Sequence, residues 1–175
     1  KYHYDAVRVG IGFYGLWPSK ELRIQLPEIN LRPILSWHTI VGEVKTAKKG
    51  DYVGYDLVER LRRDSTLAVL PVGYWHGFPR ALSGVGEVLV NGHRARVLGR
   101  VSMDIIVVDA TGIPCKFGDR ATLIGKQLRR SDEVGAPTGA SEEITAEESA
   151  ASAGGASYYE YLTRLNPLIE RTVTE

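Results

Sequence analysis

The stretch GEVLVNGHRARVLG, Gly86 to Gly99, constrains the chain more than any other. Two strand-like arms flank Asn91-Gly92, and both central positions of a type I′ turn need positive φ, which this pair supplies best. An antiparallel hairpin is fixed here, and most of the remaining chain reads as further strand. ILSWHTIVGEVKTA, Ile34 to Ala47, alternates roughly apolar and polar as one long half-buried strand does, with KKGD, Lys48 to Asp51, as the turn after it. TLAVLPVGY (Thr66 to Tyr74), DIIVVDA (Asp104 to Ala110) and RATLIG (Arg120 to Gly125) read as strands, Pro71 demoting the first to an edge or a bulge. VRVGIGFYGL, Val7 to Leu16, reads as a buried strand closely approached at its glycines, and WPSKELRIQLPEIN, with Pro18 and Pro27, as a linker. One helix is introduced by Thr145, with Glu148 at capping-box spacing, and closed by Gly154-Gly155. The polar stretch before it, Lys126 to Ser141, reads as an exposed, mobile loop.

These patterns predict a mainly β fold: a small antiparallel β domain with one late helix, preceded by a piece of something else. At 175 residues one core is the default. Lys plus Arg (22) nearly cancels Asp plus Glu (21), and the basic residues form no aromatic-laced face, which argues against a nucleic-acid or membrane partner. The single Cys115 has no ligand-spaced Cys or His nearby, so no structural metal is indicated and a reduced compartment, the cytoplasm, fits. No apolar run approaches a bilayer span. The chain opens on Lys1 and not Met, and is read as part of something longer.

Four segments taken together go further: VRVGIGFYGL, VGYD, LPVGYWHGFPRALSGVGEVLVNGHRARVLGRVSMD and ITAEESAASAGGASYYEYLTRLNP. In this order and spacing they resemble the C-terminal part of alanine racemase, the pyridoxal phosphate (PLP) enzyme that interconverts L- and D-alanine. The resemblance implies that residues 1–30 are the tail of a PLP-binding TIM-type barrel, with Val7 to Leu16 its last strand, and that 31–175 form a small antiparallel β-barrel domain. It also implies a head-to-tail homodimer in which this domain completes the partner's site.

Racemisation removes the Cα proton from one face of the substrate and delivers another to the opposite face, most simply with two acid/base groups. The resemblance implies that one of them is Tyr55 of VGYD. A turn-flanking tyrosine otherwise packs, and a free one, of pKa about 10, needs a cation or donors nearby to act as a base. It further implies that Arg8 bonds the PLP ring nitrogen, that the Gly10 and Ile11 amides hold its phosphate, and that the Tyr159 hydroxyl reaches that phosphate, with Tyr158 one residue away. Met103 and Asp104 would lie beside a small amino-acid substrate, and Tyr74, Arg80 and Arg100 along the corridor to it. Without the resemblance, Arg8 is an ordinary surface cation and Met103 a core filler.

Two positions depart from the family pattern. Trp75-His76 stands where a small residue and an aspartate are usual, and Asp56 where a glycine commonly follows the tyrosine; a carboxylate turned toward Tyr55 would raise its pKa, so Asp56 is expected to face solvent. The Schiff-base lysine is expected in the barrel upstream of Lys1, since Lys45, Lys48 and Lys49 sit at a turn of the other domain. The chain alone is therefore expected neither to hold PLP covalently nor to racemise alanine. A non-catalytic β-barrel association module derived from the same domain is the alternative.

Overall fold

The computed structural model describes residues 4–130 and 137–174. It divides into two compact units, Lys1–Ser36 and Trp37–Glu175. Among the described residues no helix is long and apolar enough to cross a membrane.

The first unit corrects two expectations. No strand forms at Val7 to Leu16: Val7–Gly10 is extended and Ile11–Tyr14 is a 3-10 turn, ended by Gly15 at φ 75°. A Cβ on Gly15 would stand 1.7 Å from the Arg32 carbonyl oxygen, so Gly15 serves a tight return of the chain and not a strand. The linker contains a helix, α1 (Lys20–Gln25). Ser19 caps it, its hydroxyl accepting from the Leu22 N–H at 3.2 Å, and the two prolines bracket it.

The second unit is β. Its strands are β1 (Trp37–Ile40), β2 (Glu43–Ala47), β3 (Tyr52–Val53), β4 (Glu59–Arg60), β5 (Ser65–Leu70), β6 (Glu87–Val90), β7 (His93–Leu98), β8 (Ile106–Asp109), β9 (Arg120–Arg130) and β10 (Pro137–Ile144), followed by α2 (Ala146–Ser152) and α3 (Tyr158–Thr163). The antiparallel sheet runs β1-β9-β6-β7-β8-β5-β2, with β10 also on β9; β3 and β4 form a separate ribbon. Strands β1 and β2 lie at opposite ends of this order, yet only Val41-Gly42 separates them. The sheet must therefore curl back on itself. Val41 N–H donates to the Asp119 carbonyl (2.7 Å) on the β9 side and Gly42 N–H to the Val69 carbonyl (2.9 Å) on the β5 side, so the expected single strand from Ile34 to Ala47 is broken at this corner.

The hairpin forms as expected. Val90 pairs with His93 across a turn with Asn91 at φ 49° and Gly92 at φ 77°. Its tip packs on β9, where a Cβ at Gly92 would lie 2.6 Å from the Arg129 backbone, while the Asn91 amide donates to the Pro114 carbonyl (2.7 Å) and to Asp119 Oδ2 (2.8 Å). Val88, Leu89 and Val90 are all fully buried, so both faces of β6 are covered. Pro71 makes neither an edge nor a bulge: β5 is interior, between β2 and β8, and ends at Leu70, just before the missing N–H. The expected loop 126–141 is instead, where described, the outer half of a β9–β10 hairpin; 131–136 lie outside the described residues.

Two late helices follow where one was expected. Thr145 caps α2, accepting from the Glu148 N–H at 3.1 Å. Tyr161 of α3 meets Trp37, which in turn meets Phe78, at ring-centroid distances of 6.4 and 6.3 Å. Arg94 of β7 ties helix to sheet: it bonds Glu87 (2.9 Å) and Glu142 (3.2 Å), donates to the Glu143 carbonyl (2.8 Å), and pairs with Glu148 of α2. These carboxylates, Glu148 foremost, raise the Arg94 pKa, and Arg94 in turn holds Glu142 below the ordinary 4.5. A carboxyl depressed in the folded state stabilises above its unfolded value, and that stabilisation is lost as pH falls through the folded one. Arg94→Met is thus expected to cost roughly 1–3 kcal/mol at neutral pH and to flatten the loss of stability below about pH 4.5, as read by urea denaturation across pH. An unchanged acid profile would contradict this role.

Candidate active site

The strand register places the functional loops together. Leu70 at the end of β5 pairs with Ile106 at the start of β8, and Leu98 at the end of β7 pairs with Val107, so the connections 71–86 and 99–105 leave the sheet at one edge. The β3–β4 ribbon is laid on the same place. A Cβ on Gly99 (φ 66°) would come within 2.5 Å of the Val53 carbonyl oxygen, and one on Gly54 (φ 76°) within 3.4 Å of the Arg100 nitrogen. Beneath the ribbon, Val53, Leu61, Leu67 and Leu98 form a small apolar cluster that anchors it.

Tyr55 opens the 3-10 turn Tyr55–Leu57 at the ribbon's tip and is 67% exposed, so it does not pack within this chain. Asp56 (φ 63°) and Leu57 (φ 53°) are left-handed, a conformation that ordinary residues adopt only when their surroundings impose it. The Asp56 carboxylate is largely in solvent, as expected, and it also meets Arg100 Nε at 2.5 Å.

A second contact joins Tyr74 to Met103. The Tyr74 and Trp75 N–H groups donate to the Ser102 and Met103 carbonyls, each at 3.0 Å, and a Cβ on Gly73 would lie 2.2 Å from the Ser102 oxygen. Only glycine permits this approach. His76 closes the turn: its Nδ1 accepts from the Gly73 N–H at 3.1 Å, which places the ring proton on Nε2. The other side of the turn is held by Asn166, whose amide donates to the Trp75 carbonyl (3.1 Å). The Arg80 guanidinium lies 6.0 Å from the Tyr74 ring centre. Met103 and Asp104 occupy the tip of 102–105, where the Ser102 N–H meets the Ile105 carbonyl at 3.1 Å; Met103 is 49% exposed and fills no core.

These contacts link the Tyr55 turn to Arg100, and Tyr74, with Arg80 beside it, to the tip bearing Met103 and Asp104; Leu57, Val58, Val85 and Ile105 on the same segments are exposed. Of the remaining expected residues, three belong to the first unit and one to α3. Arg8 is exposed on the extended stretch of the first unit, and Gly10 and Ile11 open its 3-10 turn. Tyr159 is 37% exposed on α3, whereas Tyr161 points inward with its hydroxyl buried and unpartnered and its pKa pushed up by burial. Among the described residues no three His, Cys, Asp or Glu side chains converge as metal ligands. Sequence reasoning missed the docking role of Gly73 and Gly99, the His76 cap and the Asp56–Arg100 pair; the only signal was a glycine preceding each motif. Gly73→Ala is expected to cost at least about 2 kcal/mol in urea denaturation, against less than about 1 kcal/mol for Gly42→Ala, whose added Cβ meets nothing closer than 3.4 Å. Equal costs would remove the docking argument.

Comparison with known proteins agrees with the fold. The model of the alanine racemase C-terminal domain matches residues 34–173. An alanine racemase of Leptospira interrogans is 34% identical over 99% of the chain, which spans 43% of that protein. The alanine racemase of Bacillus anthracis with bound L-Ala-P superposes with a TM-score of 0.77 at 39% identity, over 93% of this chain and 38% of that one. That of Bartonella henselae, with covalently bound pyridoxal phosphate, gives 0.70 at 30%, over 89% and 38%. The chain belongs to the alanine racemase C-terminal domain family.

Proposed function

We propose that this chain is the C-terminal portion of a PLP-dependent alanine racemase and that Tyr55 exchanges a proton with the substrate Cα on one face. The observation that carries the reading is a two-thirds exposed tyrosine on a strained turn, docked backbone to backbone on the segment that leads to Met103 and Asp104. Structural strain of this kind persists where surrounding contacts impose it, and it is common at sites of chemistry. Arg80 and Arg100 supply positive charge to draw an amino-acid carboxylate, and the exposed apolar side chains around them suit burial against a second surface.

One observation supports a cofactor-phosphate role for the first unit in this reading. The first 3-10 turn opens at Gly10 without a side-chain cap, and a Cβ there would meet nothing within 4 Å, leaving room for an anion to approach the backbone. In this reading the Gly10 and Ile11 amides and the Tyr159 hydroxyl hold the phosphate and Arg8 the ring nitrogen. PLP, when bound, withdraws electrons and so acidifies the substrate Cα–H. A cation at the ring nitrogen discourages its protonation and limits side reactions. The lysine that bears the cofactor, the rest of its pocket and the opposite acid/base are assigned to an N-terminal barrel outside this chain. The assembly is a homodimer in which Tyr55 serves the partner's substrate.

Mixing the chain with a separately produced barrel portion, PLP and L-alanine is expected to give racemisation that neither piece shows alone. Tyr55→Phe should lower kcat by about 100-fold or more at unchanged stability. Full activity of Tyr55→Phe would remove the tyrosine from the mechanism. Tight association without turnover would favour the association module instead.

A further inference from the structure

Asp56 stands out on the Tyr55 turn. Among the described residues only Asp56, Leu57 and Asn91 are non-glycine with positive φ, and Asn91 is explained by its hairpin turn. Glycine would take the Asp56 conformation (φ 63°, ψ 9°) without a Cβ penalty, so a carboxylate placed there needs a reason. The structure supplies one at Arg100. Asp56 Oδ2 lies 2.5 Å from Arg100 Nε, a buried nitrogen that has no aligned hydrogen bond, so this ion contact is what meets it. Glu59, the other carboxylate on the ribbon, is already taken by Arg96 at 2.9 and 3.2 Å. Arg100 follows Gly99, which receives the ribbon's backbone, and precedes the 102–105 tip. The Asp56 contact therefore adds a side-chain tie between two segments that otherwise meet through their backbones.

We infer that Asp56 is a positioning residue: its carboxylate, through Arg100, holds the turn bearing Tyr55 against the segment bearing Met103 and Asp104. The catalytic part of this inference rests on the role proposed above for Tyr55; the structural part does not. By occupying Arg100, Asp56 also leaves Arg80 as the less encumbered cation of the corridor.

Two readouts test it. In the complete racemase, Asp56→Asn and Asp56→Gly are each expected to lower kcat roughly tenfold with little change in KM. Asp56→Asn should add nothing in an Arg100→Gln background, and Asp56→Glu should recover part of the loss. In the present chain the same Asn and Gly variants should speed amide hydrogen exchange across residues 52–58 while leaving the β6–β7 hairpin unchanged. Asp56→Gly that is as active and as protected as the parent would overturn the inference, because relief of backbone strain would then suffice; fully additive effects with Arg100→Gln would do the same. If Tyr55→Phe itself retains activity, the exchange data still decide whether the latch exists.

Discussion

Two residues, Val41 and Gly42, carry the chain from one end of the strand order to the other, and this step governs the rest of the second unit. With β1 bonded to β9 and β2 to β5, a two-residue link leaves the sheet no option but to curl. Curling buries the inner faces of β5 to β9 and covers both faces of β6. It also sends the connections after β5 and β7 out at the same edge. Everything proposed about the site depends on that coincidence of two loop exits, since Tyr74 and Met103 lie about thirty residues apart in sequence and meet only there.

Backbone contact, more than side-chain packing, then fixes the site. Gly73 on Ser102 and Gly99 on Val53 are approaches that a methyl group would forbid. Main-chain hydrogen bonds are directional and short, so they locate a turn better than apolar packing does. Tyr55 and Met103 can consequently stand exposed without losing their place, which is what a surface awaiting a partner and a small ligand requires. His76 is part of the same arrangement: a carboxylate could accept from the Gly73 N–H, and the imidazole does so here. At Trp75-His76, where this chain departs from the family pattern, the acceptor is the imidazole.

The elements legible in the sequence were those whose local chemistry and burial agree. Asn91-Gly92 named its turn, Thr145 named its helix, and the apolar runs of β5, β6 and β8 named buried strands. Those that were not legible lack this agreement. The outer β9–β10 hairpin is polar and mostly exposed, so it carries no alternation to read. Gly10, Gly12 and Gly15 looked like a closely approached strand because glycine spacing does not distinguish that from a tight turn. The break at Val41-Gly42 falls inside a continuous alternating pattern and is imposed by closure. The motifs of the second unit name candidate residues, but the Asp56–Arg100 contact was not legible, since nothing local to VGYD or GRVSMD says that the two meet.

The central claim is that Tyr55, Tyr74 and Met103 stand on one preorganised surface before any partner or ligand arrives. Residue-resolved amide exchange of the chain in solution tests this most directly, at the Tyr74 and Trp75 N–H groups that donate to Ser102 and Met103. Protection comparable with that of the β6–β7 hairpin is the predicted result. Exchange at the rate of an open loop, with the hairpin still protected, would show that the surface is not held together in the free chain and would contradict the claim.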